Sequence, residues 1–229
     1  VESIRIGTRA PVFWPHRFVS DDDADEMKAL FERVADAGKT LALMAHYTHP
    51  RELATPIAEQ AVKAIQDSGA VIRCQAPLIR HVNDDAETWA DLWRRQVRLG
   101  AIPYYMFVER DTGARRYFEV PLVRALEIFN GAYRSVSGLA RTVRGPSMSA
   151  LPGKVLIDGV AEIQGEKVFV LKLLQARRAE WVGRPFFARF DPLATWLDDL
   201  QPAFGESEFF YEPELREVGG GVDGAVGSR

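Results

Sequence analysis

Four times in its first 135 residues the chain repeats one alternation. An apolar run too short for a buried helix gives way to a stretch with apolar residues every three or four positions. Ser3 to Arg9 reads as a buried strand ending in a polar loop, and an acidic helix start follows at Asp21, Asp22 and Asp23. Met27, Leu30, Phe31 and Val34 then recur at helical spacing up to a stop at Gly38. Leu41–Ala45 is a second strand and Pro56–Asp67 a second helix. Val71–Pro77 is a third strand, and Asp84 is placed to cap a third helix that runs to about Leu99. Ile102–Val108 and Leu122–Tyr133 complete the fourth pair. Strands and helices alternating through short links define an α/β fold around a parallel sheet. In such sheets chemistry collects at the carboxyl ends of the strands. Those ends carry Arg9, His46 with His49, Gln75, and Tyr105 through Arg110.

After residue 135 the pattern changes. The stretch from Arg144 to Lys154 is so rich in Gly, Pro and Ser that it reads as an irregular loop, neither helix nor central strand, and too long for a tight turn. It delivers Lys154 to the start of a strand at Val155–Ile157. A lysine held so, in a dry site or beside a cation such as Arg144, is pushed towards its neutral form. A neutral amine can form a Schiff base with an aldehyde; the alternative is a solvated loop lysine. Lys154–Ile163 and Lys167–Leu173 alternate around Gln164-Gly165-Glu166 as a β-hairpin, and Leu193–Leu200 is expected as a short helix. The domain expectation is therefore a set of four βα units, a partial βα barrel, over 1–135, a lysine loop with hairpin and closing segment over 136–213, and a disordered tail over 214–229.

Composition narrows the function. The hydrophobic share of 47% over 229 residues supports a sizeable core, and a formal net charge of -3 speaks against nucleic acid as a partner. No apolar run is long enough to span a membrane, and no signal peptide is visible, so a reducing cytoplasm is the expected location. The single cysteine, Cys74, excludes an internal disulfide framework and a cysteine-built metal site. His46, His49 and His81 with Asp84 leave open a metal-dependent hydrolase, although His46 and His49, with two residues between them at a strand end, need not point the same way. Trp89 and Trp93, four apart on a helix, read as core. The chain starts at Val1 rather than Met and runs at once into strand-like sequence, which suggests a fragment.

In order along the chain stand Arg5-Ile6-Gly7-Thr8-Arg9-Ala10-Pro11-Val12, His46-Tyr47-Thr48-His49-Pro50, Gln75 to Asp84, Pro103-Tyr104-Tyr105, and Ser137-Gly138 followed by Pro152-Gly153-Lys154. Together they resemble the lysine 2,3-aminomutase family of radical S-adenosylmethionine (SAM) enzymes. The resemblance implies a partial (β/α) barrel of the radical SAM type, of which these would be the last four βα units. It implies an isomerase that moves the α-amino group of a lysine- or glutamate-type substrate to the β carbon. It further implies pyridoxal phosphate on Lys154, SAM near His46 and Gln75, and a [4Fe-4S] cluster whose CxxxCxxC ligands this chain lacks. A longer native protein is then expected, a small amino acid its partner, and a homo-oligomer its full-length state, with this chain inert alone. A non-catalytic remnant is the alternative. Where lysine-specific members place two aspartates against the substrate ammonium, this chain has Arg110 and Ser147. With Arg144 nearby, that exchange implies an acidic substrate, unless Asp111 takes over the ammonium contact.

Overall fold

The computed structural model describes residues 1–110 and 114–219. Four βα units open the chain: β1 (Ser3–Thr8) with α2 (Ala24–Asp36), β2 (Thr40–His46) with α3 (Pro56–Asp67), β3 (Val71–Leu78) with α4 (Ala86–Arg98), and β4 (Ile102–Val108) with α6 (Leu122–Arg134). Two single-turn helices interrupt them, α1 (Ala10–Phe13) and α5 (Arg115–Phe118). Then come β5 (Arg144–Ala150), β6 (Gly153–Ile163), β7 (Glu166–Ala176), β8 (Pro185–Arg189) and α7 (Glu212–Gly219). The eight strands form one sheet in sequence order. Pairing is parallel from β1 through β5 and antiparallel from β5 through β8.

Parallel neighbours taken in order need crossovers of one hand, which puts the helices on one side of the sheet. The core shows which side. Leu41, Leu43, Ala45, Ile72, Cys74, Ala76, Leu78 and Met106 point towards the helices and pack with Val62, Ile65, Trp89, Trp93 and Phe129. A second core forms beyond β4, where Met148, Val155, Ile157 and Leu171 meet Trp181, Phe186 and Tyr211. The residues of opposite parity on β1 to β5 face away from the helices.

Four expectations need correction. The stretch from Arg144 is not a loop: Arg144–Ala150 is a central strand, and only Leu151 and Pro152 separate it from β6. Its Gly and Pro serve a bulge. Tyr105 pairs with Arg144 and Phe107 with Ser147, so Gly145 and Pro146 together oppose Met106. A Cβ at Gly145 would lie 2.6 Å from the Met106 carbonyl oxygen, which explains why glycine stands there. Next, β1 is an exposed edge strand rather than a buried one, because it pairs on one side only. The cap of α4 is Asp85, whose carboxylate accepts from Thr88 N at 2.8 Å, not Asp84. Of Leu193–Leu200 only Leu197–Asp199 is helical, as one 3-10 turn.

The tail expectation is corrected in part as well. Residues 214–219 belong to α7, which Arg178–Glu214 (2.9 Å) and Arg216–Glu208 (2.5 Å) fasten to the body; the rest of the segment lies outside the described residues. β8 and the two short helices had no periodic signal to announce them.

Gly153 tests how tightly the β5–β6 turn sets Lys154. Its φ is +146°, and a Cβ there would run into the Gln175 carbonyl oxygen. Gly153→Ala should destabilise the protein by about 2 kcal/mol or more in urea unfolding. Gly159→Ala, with open space around it, should stay within about 0.5 kcal/mol. Equal effects would show that the turn is not constrained in this way.

Candidate active site

The strand register gathers residues that are far apart in sequence into one row. His46 pairs with Gln75, Gln75 with Tyr105, and Tyr105 with Arg144. Partnered residues in a parallel sheet point to the same face, so all four project from the side opposite the helices. Neighbouring strands are about 4.8 Å apart, which makes the row roughly 15 Å long. Lys154 joins it through the antiparallel pair with Ser149 at the carboxyl end of β5.

A bulge also shapes the centre of the row. Cys74 pairs with Pro103 but Gln75 with Tyr105, so Tyr104 is an extra residue on β4. A bulge re-aims side chains, and here two adjacent tyrosines end up edge to face with ring centroids 4.5 Å apart. Tyr105 is 3% exposed and stacks on Phe107 at 5.1 Å. Lys154 Nζ lies 4.0 Å from the Tyr105 ring centroid and 4.8 Å from that of Phe107. The Arg144 guanidinium lies over both tyrosines, at 4.3 Å from Tyr104 and 4.5 Å from Tyr105. Arg73 covers Tyr104 at 4.9 Å.

This setting acts on the amine. Burial holds the Lys154 pKa below its ordinary value, and the Arg144 and Arg5 guanidinium charges lower it further. The ring faces attract the ammonium and offset part of that lowering. A half-buried lysine with nearby cations loses its proton more easily than a solvated one, and the neutral amine is the nucleophilic form. A groove beside it is lined by Ser149, Leu151, Gly153, Gln175 and Arg177.

At the other end of the row, Gln75 Nε2 donates to His46 Nε2 at 2.7 Å, which leaves the proton of a neutral ring on Nδ1. Burial, helped by Arg9, lowers the His46 pKa, so the ring stays neutral near pH 7. His49 turns elsewhere: its Nδ1 accepts from Arg51 N at 3.1 Å and caps the 3-10 turn Pro50–Leu53. The two histidines therefore do not converge on a metal, and no group of three metal-ligating side chains occurs among the described residues.

The loops that carry this end are held by two side chains. Glu52 accepts from Thr48 N (2.5 Å) and His49 N (3.3 Å) and pairs with Arg9 at 3.3 Å. Asn83, 1% exposed, donates to the carbonyls of Thr48 (2.9 Å) and Pro77 (3.0 Å) and accepts from Ile79 N (2.7 Å). It thereby ties the end of β2 to the end of β3.

Of the residues singled out from the sequence, Lys154 and Arg144 come together, as do His46 and Gln75. Ser147 shares their face but is fully buried, with its hydroxyl donating to the Met106 carbonyl at 3.4 Å. Arg110 lies past the end of β4 on an exposed segment, and Asp111 is outside the described residues. Sequence reasoning missed Arg5, Arg73 and Phe107. Arg73 was within reach, since it shares the parity of Gln75 on a strand whose other parity is apolar. Arg5 acts across the sheet face, and no local pattern reveals that.

Fold and site together define an α/β protein with a lysine-centred face towards the carboxyl side of parallel strands. A putative L-lysine 2,3-aminomutase of Aquifex aeolicus is 33% identical over 206 residues, 90% of this chain and 53% of the relative. The L-lysine 2,3-aminomutase of Fusobacterium nucleatum is 29% identical over 140 residues, 61% of this chain and 31% of that enzyme. The chain belongs to the lysine 2,3-aminomutase family. It spans about half the length of the first relative and about a third of the second. No family model matches it. A radical SAM methyltransferase structure from Sphaerobacter thermophilus covers 54% of the chain, and the chain covers 38% of it, at 17% identity and a TM-score of 0.38.

Replacing Asn83 by alanine should leave one backbone N–H and two carbonyls without their partner. A loss of about 2–4 kcal/mol in urea unfolding is expected. A loss under about 1 kcal/mol would mean that the strand-end loops are held by something else.

Proposed function

We propose that this chain supplies the lysine-bearing part of an amino-acid 2,3-aminomutase, an isomerase that moves an α-amino group to the β carbon by radical SAM chemistry. In this reading the four βα units are the last units of a partial barrel, and the β5–β6 turn presents the cofactor lysine. The observation that carries it is Lys154 itself: an amine 4.0 Å over the Tyr105 ring, with its pKa lowered by burial and two guanidiniums.

The residues present fit pyridoxal phosphate. Lys154 offers a nucleophilic amine for the aldehyde, the rings of Tyr105 and Phe107 offer an apolar floor, and the arginines offer charge for anionic groups. When bound, that cofactor would supply an aldehyde reactive towards amino groups and a conjugated ring able to delocalise an unpaired electron. The chain's own part is to hold and orient. Lys154 gives up its proton readily, and Tyr105 with Phe107 shields the amine from water. Gln75 fixes the His46 ring, whose Nδ1–H is free to donate to SAM at the far end of the row. The described residues do not fit an iron–sulfur cluster. Cys74 is buried at 2% exposure, its thiol is pushed up by burial, and no other cysteine is present.

Two measurements test the lysine. Borohydride reduction of the pyridoxal phosphate-treated natural protein, followed by peptide mapping, should place the label on Lys154. A label on another lysine would sink the assignment. The labelling rate should also rise with pH around a half-point below the ordinary lysine value. Because Arg144 helps to disfavour the ammonium, Arg144→Gln should move that half-point upward. The move should be partial, since burial is the larger cause and remains. A downward move would contradict the electrostatic account.

A further inference from the structure

Strands β1 to β5 contain no aspartate or glutamate at any position. On their helix-free face stand Arg5, Arg73, Arg144 and Lys154, and none of the four forms an ion pair among the described residues. The ion pairs Arg9–Glu52 and Lys172–Asp158 use other side chains. Four positive side chains that share this face without a carboxylate repel one another; at Lys154 burial is the larger cause of the lowered pKa, and Arg144 and Arg5 add to it. Such a face is completed by negative charge from a ligand.

Arg144 and Arg73 are built for one ligand chemistry. Both guanidiniums rest on the same ring, Tyr104, at 4.3 and 4.9 Å. A guanidinium held against a ring by cation–π attraction still has N–H groups for parallel hydrogen bonds to a carboxylate or phosphate. A distal ammonium would find no counter-charge on this face. We infer that Arg144 and Arg73 form the receptor for a substrate's side-chain carboxylate, so that the substrate class is the 2-amino dicarboxylic acids and not the diamino acids. This rests on the reading of Lys154 as the residue that holds the substrate's amino end through its cofactor. It moves specificity from the loop after β4, where Arg110 lies, into the sheet.

The same chemistry could serve the cofactor's phosphate, so the test separates the two. Calorimetric titration of the natural full-length protein uses glutarate, 1,5-diaminopentane and inorganic phosphate, each with and without pyridoxal phosphate. Glutarate should bind in both states, and the diamine should bind in neither. Arg144→Gln and Arg73→Gln should each weaken glutarate about tenfold or more, the loss expected for a hydrogen bond to a charged group. Arg73 lies on Tyr104 and not on the ring that carries Lys154, so its variant decides even if Arg144→Gln disturbs the lysine. Tighter binding of the diamine, or glutarate affinity unchanged in Arg73→Gln, would overturn the inference. Loss of glutarate binding once pyridoxal phosphate is present would give the arginines to the phosphate and overturn it equally. Failure of the cofactor to label Lys154 refutes the aminomutase reading on its own, and the glutarate titration without cofactor still decides the arginines.

Discussion

The site depends on one constraint: parallel strands added in sequence order with crossovers of one hand. That rule sends α2, α3, α4 and α6 to a single side. The same side takes the apolar parity of every strand, Leu41 and Leu43 on β2, Ile72 and Cys74 on β3. The other parity is then left as a helix-free face. His46, Gln75, Tyr105 and Arg144 come to stand in one row because each is the register partner of the next. None of them is near another in sequence, and no local feature draws them together.

Regularity alone would not make the row useful. Two bulges on neighbouring strands, at Tyr104 and at Gly145-Pro146, break the even spacing where the row crosses β4 and β5. The first brings a second aromatic ring to the face. The second follows Arg144, which lies over both tyrosines, and offsets β5 by a residue so that Ser147 comes opposite Phe107, buried, with its hydroxyl on the Met106 carbonyl. Gly145 is the residue that permits the close approach. Functional geometry is here a departure from ideal sheet geometry, held by packing on either side.

Electrostatics on this face is one-sided by composition. With no acid in five strands, the lysine amine and three guanidiniums share a partly buried surface, and the amine yields its proton most readily. Three acidic residues serve instead as caps and loop ties: Asp85 on α4, Glu52 under the β2 loop, Asp199 at the turn that follows Trp196. Glu52 and Asn83 hold the strand-end loops from beneath without entering the row.

Much of this was legible in the chain itself. Period-two and period-3.6 patterns gave the four βα units with bounds within a few residues, because each element buries one face and must repeat its apolar residues accordingly. The polar strand ends gave His46 and Gln75, and the lone lysine before an apolar run gave Lys154. The stretch from Arg144 misled, since Gly, Pro and Ser in a row carry the same signal in a loop and in a bulged strand; only the neighbour strand tells them apart. Arg5 and Arg73 escaped for a related reason. A side chain's partners across a sheet are fixed by register, and register is a property of paired strands. Sequence determined which residues lie on each face, because alternation is local. Tertiary structure decided which of them meet, because pairing joins positions that are dozens of residues apart.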